Sequence, residues 1–330
     1  MSEANPVRET ASDRPGVAQP VPVRDIPERP WGAMIAAAFV LFLALMAAWE
    51  WHWRAFGSEG GTYRNSDGLW ARERRRIDQG EGDATVLVGS SRLFFDVRLA
   101  TWERLSGRRP IQLSFEGTSA MPMLEDLANE PAFTGKLLVG VTPGLFFSGR
   151  ARRGSAVKYY HEESPSQRVG QWLSMKLEPW LAFYDSDYAL ATVIERLDWP
   201  ARGGQPPRLK VRRLSAGGPD RDTHLWHKVV DDPEYQALAR RIWLQSLTPG
   251  PDAPPPAVRD KVRDEQIARA VAAVAKLRAR GVEVVFVREP SEGPYLENEE
   301  LRRRIIGYNP MSEEEWEKLW PRFAPKPMNE

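Results

Sequence analysis

The chain of 330 residues contains no cysteine. That excludes disulfides, thiolate metal centres and cysteine nucleophiles, and it is compatible with any compartment. Histidine is nearly as scarce, with four residues, His52, His161, His224 and His227, so an argument for an imidazole base has four places to look. There is no surplus of charge: 46 basic against 45 acidic side chains give a formal net charge of +1, too little for a global electrostatic case for nucleic acid. A glycine-rich phosphate loop is missing, as is any cluster of metal-ligating residues, so neither cofactor nor metal is expected. Long apolar runs are absent too, with one exception.

That exception is Trp31 to Trp49, uncharged and rich in Ala, Leu, Phe, Val and Met. A helix of this length covers about 28 Å at ~1.5 Å per residue, close to the thickness of a bilayer core. Trp31 at one end and Trp49, Trp51 and Trp53 at the other stand where interfacial aromatic belts do. About 30 polar residues precede the run, unlike the short basic start of a cleaved signal peptide, so 31–53 reads as an uncleaved single-pass anchor. Arg8, Arg14, Arg24 and Arg29 lie before it, and Arg54 and Arg64 follow within about 20 residues. This bias puts the amino terminus in the cytoplasm and the bulk of the chain outside a bacterial inner (cytoplasmic) membrane, periplasmic or extracellular.

Residues 1–30 carry Pro, Glu, Ser and Arg without periodicity and read as a disordered tail. Residues 54–82 are polar, with the run Arg72-Glu73-Arg74-Arg75-Arg76, and read as a juxtamembrane stalk ending in a short helix. Its charges form either a solvated helix face or a contact for anionic headgroups.

From residue 83 onward strands alternate with helices. Strand 84–89 precedes helix 97–106, strand 110–115 precedes helix 118–129, and strand 136–142 follows. Helix 262–280, with Ile267, Val271, Val274 and Leu277 at three- and four-residue steps, precedes strand 282–288. Continuous β-branched runs such as Ala84 to Val88 are what strands buried on both faces of a parallel sheet look like, so the fold class is α/β with helices on both faces. The strands are expected to be adjacent, with 84–89 central. Residues 145–260 interrupt the rhythm as a helical insertion, with helices at 166–175, 177–197 and 232–246. A capping box at Ser312-Glu313-Glu314-Glu315 marks a helix in the tail.

Three strand ends carry small or hydroxyl residues: Gly89-Ser90-Ser91, Ser114-Phe115-Glu116-Gly117, and Val141-Thr142-Pro143-Gly144. Open α/β sheets place their chemistry in the crevice outside such ends. The three blocks together resemble the SGNH (GDSL-type) hydrolase superfamily, in particular its divergent membrane-anchored branch, which includes the teichoic-acid D-alanyl transfer and alginate O-acetylation proteins. The resemblance covers 84–145 and, more loosely, 262–290. It implies a three-layer, flavodoxin-like parallel sheet with Ser91 as nucleophile. It also implies an oxyanion hole from the N–H groups of Ser91 and Gly117, with Thr142 in place of the family's asparagine. The implied activity is that of an esterase or O-acyltransferase on cell-envelope polysaccharide, beside a membrane-bound O-acyltransferase.

The family's fourth block, Asp-x-x-His after the last strand, is missing from this sequence. That histidine would deprotonate the serine and the aspartate would orient it. His224 and His227, with Asp220 and Asp222 nearby, are the remaining base candidates, at neither the family's spacing nor its chain position. The expectation is that no histidine reaches the Ser91 hydroxyl and that the chain turns over little ester. A different class of function then stands beside the enzyme: an inactive module that binds glycan or scaffolds an acyltransferase. Two further groups stay open between a functional and a structural role. Arg150, Arg152, Arg153 and Lys158 form either a rim for an anionic polymer or a solvated loop. Trp172, Trp180, Trp199, Trp226 and Trp243 either stack on sugars or pack between helices.

Overall fold

A computed structural model describes residues 28–58, 60–185, 187–196, 213–247 and 255–288. The chain divides into two compact units, residues 1–48 and 49–330. Helix α1 (Trp31–Ala55) is long and apolar enough to cross a membrane, and its side chains up to Leu45 are exposed, as a lipid-facing helix requires.

In the second unit the elements follow as α2 (Asp67–Arg75), a short π-helical turn (Ile77–Glu81), β1 (Thr85–Val88), α3 (Ser91–Asp96), α4 (Leu99–Ser106), β2 (Ile111–Gln112), α5 (Met121–Ala128), β3 (Lys136–Gly140), α6 (Pro143–Phe146), α7 (Ser155–Glu162), α8 (Pro165–Leu177) and α9 (Leu190–Arg196). Then come β4 (Ser215–Gly217), β5 (Thr223–Leu225), α10 (His227–Asp231), α11 (Pro233–Leu247), α12 (Pro256–Ala279) and β6 (Glu283–Val287). The fold is α/β. β1, β2, β3 and β6 form a parallel sheet in the order β2-β1-β3-β6, so the expected strands are adjacent and β1 is interior. The register sets Val86 beside Ile111 and Leu137, and Val139 beside Phe286.

The burial pattern follows from strand pleating. Val86 and Val88 join a large core with Val139, Phe286, Leu124 of α5, and Ile267, Ala270 and Leu277 of α12. Leu87 points the other way, into a smaller cluster with Leu93 and Leu99. With apolar neighbours on both faces, β1 has no polar face to show, which is why its sequence does not alternate.

Several expectations are corrected. Residues 67–81 are not a stalk but part of the core. Trp70 of α2 is fully buried and donates through Nε1 to Leu113 O at 3.0 Å. The basic run is neither solvated nor a headgroup contact at its centre. Arg74 is wholly buried and bonds Asp126 at 2.6 Å and Glu130 at 3.0 Å, while Arg76 pairs with Glu73 and Glu81. Buried arginine is tolerated there because carboxylates from α5 and the following turn meet it.

The helix expected at 97–106 forms as α4, and a short helix that was not expected, α3, precedes it, the two separated where Val97 and Arg98 are extended. The single helix 177–197 does not form. α8 ends at Leu177, before Pro179, whose missing N–H cannot continue the ladder, and a 3-10 turn at Ala182–Tyr184 precedes α9. The insertion is not all helical, since β4 and β5 make an antiparallel hairpin. Of the insertion tryptophans, Trp226 is buried with Val229 and Tyr235, whereas Trp172 and Trp180 are exposed. Trp199, the Trp243 side chain and the capped helix at 308–330 lie outside the described residues.

Candidate functional site

The site grows from the turn after β1. Gly89 allows that turn because a Cβ there would stand 2.9 Å from Leu93 Cβ and 3.3 Å from Gly140 Cα. α3 can therefore start hard against β1 and β3. Ser90 takes the cap position with extended backbone, its carbonyl accepting from Phe94 N at 3.1 Å, and Ser91 is the first helical residue.

Three strand ends meet here as the alternation pattern predicts. The Ser90 and Thr142 hydroxyls are hydrogen-bonded at 2.5 Å, joining the carboxyl ends of β1 and β3. The Phe115 N–H donates to Gly89 O at 3.1 Å, holding the extension of β2 beside the same turn. β1 connects to β2 on one side, and the chain returns past β1 to form β3 on the other, so the gap between β1 and β3 is a topological switch point. Thr142 is the residue before the short helix α6, fixed there by Val141 N donating to Val287 O at 2.8 Å.

Gly117 follows on the β2 side with φ +66°, and an added Cβ would meet nothing within 4 Å. The position is open and left-handed, a conformation glycine takes without strain. Among the described residues, neither Ser91 N–H nor Gly117 N–H donates to a backbone carbonyl. The Ser91 side chain is partly exposed, whereas Ser90 is buried.

The histidines stand elsewhere. No histidine among the described residues hydrogen-bonds the Ser91 hydroxyl. His161 is held on α7 by Asp126 Oδ1 at 2.7 Å, and His52 packs edge-on against Trp53. His224 and His227 are exposed and open on a cleft of about 680 Å³, together with Arg98, Arg109, Asp220 and Asp222. Ser91 does not line that cleft. β5, which carries His224, packs against α3, which begins with Ser91. Asp220 and Asp222 do not orient either histidine, because both carboxylates face the Arg109 guanidinium.

The most elaborate polar arrangement was not foreseen. Arg221, in the hairpin turn between β4 and β5, is buried with φ +64°. Its guanidinium donates to Gln112 O at 2.6 Å, Ser114 O at 2.8 Å and Asn65 Oδ1 at 2.9 Å, and lies 4.4 Å from the Phe115 ring centroid. Burial pushes its pKa down to about 9, which still leaves it cationic at neutral pH. Asn65 in turn donates to Glu116 Oε2 at 2.7 Å, next to Gly117, and its carbonyl accepts from Arg153 at 2.7 Å. The insertion is thereby fastened to the β2 end of the site, and Arg153 is a clamp over Phe115 rather than a free rim cation. The only sequence signal for Arg221 was its place between two aspartates.

Compared with known proteins, the chain matches no family model, no curated protein and no solved structure.

Proposed function

We propose that this is a membrane-anchored SGNH-like envelope protein whose acyl-transfer site is the Ser91–Gly117–Thr142 edge. One observation carries the proposal. The Ser90–Thr142 hydrogen bond and the Phe115–Gly89 backbone bond hold three strand ends together at the switch point, with a partly exposed serine on the first residue of the next helix. The parallel sheet order β2-β1-β3-β6 supports this reading. The Ser91 hydroxyl attacks an acyl carbonyl of an envelope polysaccharide ester, forming an acyl-serine as the bond from that carbonyl to the sugar oxygen breaks, with the serine proton passing to the departing sugar hydroxyl. The N–H groups of Ser91 and Gly117 receive the developing oxyanion, with Thr142 flanking them. α1 anchors the unit in the inner membrane with residues 49–330 outside, beside a membrane-bound O-acyltransferase.

A second reading has its own observation: among the described residues, no histidine is hydrogen-bonded to Ser91. On that reading the fold is retained as a glycan-binding or scaffolding module without turnover. A fluorophosphonate probe on the full chain in membranes separates the two. Covalent labelling lost in Ser91→Ala establishes an activated serine. Labelling also lost in His224→Ala identifies that histidine as the base. Absence of labelling in the folded chain leaves the inactive module as the function.

A further inference from the structure

Helix α8 is amphipathic the wrong way round for a soluble protein. It buries none of its residues. Its inner side meets α2 and its cap with polar and soft groups, Gln171 accepting from Ser66 Oγ at 3.0 Å and Met175 Sδ from Arg72, while on the same side Ser174 donates to Glu178 of its own segment at 2.6 Å. The opposite side is the apolar one. Val169, Trp172, Leu173 and Leu177 recur at helical spacing, and Trp180 extends the stripe, with Trp172 59% and Trp180 75% exposed. Lys176 shares this face, its ammonium 5.8 Å from the Trp172 ring centroid. Exposed apolar stripes of this kind, with tryptophan and lysine, mark helices that lie in a membrane interface.

A second observation fixes which surface covers it. The segment just after the stripe is fastened to the residues that directly follow the apolar run. Trp180 O accepts from Arg54 at 2.9 Å, and the N–H groups of Ala182 and Phe183 donate to the Glu50 carboxylate, each at 3.1 Å. Trp49 Nε1 donates to Tyr188 O at 3.1 Å, and the Trp53 and Tyr188 rings stack at 4.3 Å. Residues 49–54 are where a span beginning at Trp31 leaves the hydrocarbon, so chain connectivity brings the Trp180 end of the stripe near headgroup level. We infer that the outward face of α8 with Trp180 is a lipid-docking surface, which lays this side of the globular unit on the bilayer from which the chain emerges. This inference rests on the anchor reading of α1.

The cysteine-free sequence makes the test clean. Full-length Leu173→Cys and Leu177→Cys variants, each labelled with an environment-sensitive fluorophore, are reconstituted in phosphatidylcholine–phosphatidylglycerol vesicles. Some vesicles also carry lipid spin labels about 5–10 Å below the phosphates, the depth an interfacial helix reaches. Leu41→Cys reports on the span and Leu105→Cys on an exposed site of α4. Because the four sites are exposed, the labelled proteins should unfold at the parent temperature. The expected result is blue-shifted emission, lost to the lipid quencher, at residues 173, 177 and 41 but not at 105. Water-like, unquenched emission at 173 and 177 with quenching at 41 overturns the docking surface and leaves the anchor standing. Unquenched emission at 41 as well overturns the anchor and the inference with it. A blue shift at 173 and 177 that ignores the lipid quencher and grows with protein-to-lipid ratio assigns the face to a second copy of the chain, and so refutes lipid docking.

Discussion

Gly89→Ala tests the site geometry most directly. The new methyl group would stand 2.9 Å from Leu93 Cβ, 3.0 Å from Leu93 Cδ2 and 3.3 Å from Gly140 Cα. A rotamer change at Leu93 relieves only the Cδ2 contact; the others involve Cβ and backbone. α3 must therefore move away from β1, or β1 from β3. Overpacking of this kind costs about 1–3 kcal/mol. At ~2–4 °C per kcal/mol for a unit of this size, the melting temperature falls by about 2–12 °C. The displacement also carries Ser91, the first residue of α3, away from Gly117, and misplacement of a reacting group by about 1 Å costs up to ~10²-fold in rate. Differential scanning calorimetry and the rate of fluorophosphonate labelling read the two effects separately. Gly170→Ala in the interior of α8 is the control: nothing lies within 4 Å of its Cβ, and the change should stabilise by about 0.5–1 kcal/mol through helix propensity. If Gly89→Ala melts within about 0.5 kcal/mol of the parent, as ordinary surface changes do, the tight approach of α3 to the sheet is wrong.

Other consequences are open to measurement. Arg74→Met leaves the Asp126 carboxylate, 2% exposed, without its 2.6 Å partner. This should cost about 3–5 kcal/mol in chemical denaturation, most of it recovered in Arg74→Met/Asp126→Leu; a loss under about 1 kcal/mol would show that the pair is not buried. Trp70→Ala removes a fully buried ring and the donor to Leu113 O, for an expected loss of about 3–5 kcal/mol, with unchanged stability placing α2 outside the core. The hydrogen bond from Arg76 holds the Glu81 carboxyl below the usual range. Its contribution is therefore complete above the ordinary carboxylate pKa and is lost as pH falls through the lowered folded value. Melting temperatures between neutral and acid pH should fall less steeply in Glu81→Gln than in the parent, and parallel slopes would refute the coupling.

The strands were legible because burial on both faces leaves an unbroken apolar run, as in Val86-Leu87-Val88, and a glycine or hydroxyl residue marks the exits of the first three. Their order followed from alternation with helices. α2 was not legible. Two of its buried positions are Glu73, paired with Arg76 just beyond it, and Arg74, whose partner Asp126 lies in a distant helix, and composition around them reads as a solvated stretch. α12 was found, but its inward face is Ala270 and Ala273 rather than Val271, which is exposed. Burial of α12, which packs chiefly against α5, favours alanine over the larger residue at these positions, which periodicity alone does not anticipate. The hairpin of β4 and β5 was missed because strands of three residues have no detectable period. Of the site, the hydroxyl and glycine positions could be read locally, whereas the role of Arg221 depends on carbonyls over one hundred residues earlier.

Arg221 also decides how this sheet can grow. Along β2 and its extension, Leu113 and Phe115 turn their N–H groups inward to β1, so Gln112 and Ser114 present theirs outward, where a fifth strand would pair. Those outward carbonyls are already taken by one guanidinium, and the Ser114 N–H is taken by the Gln112 side chain at 3.0 Å. A side chain from the insertion thus stands in for the missing neighbour strand and closes that margin to foreign chains, the hazard that open margins carry. A chain lacking Arg221 would open this margin to strand exchange, self-association or recruitment of a partner by sheet extension.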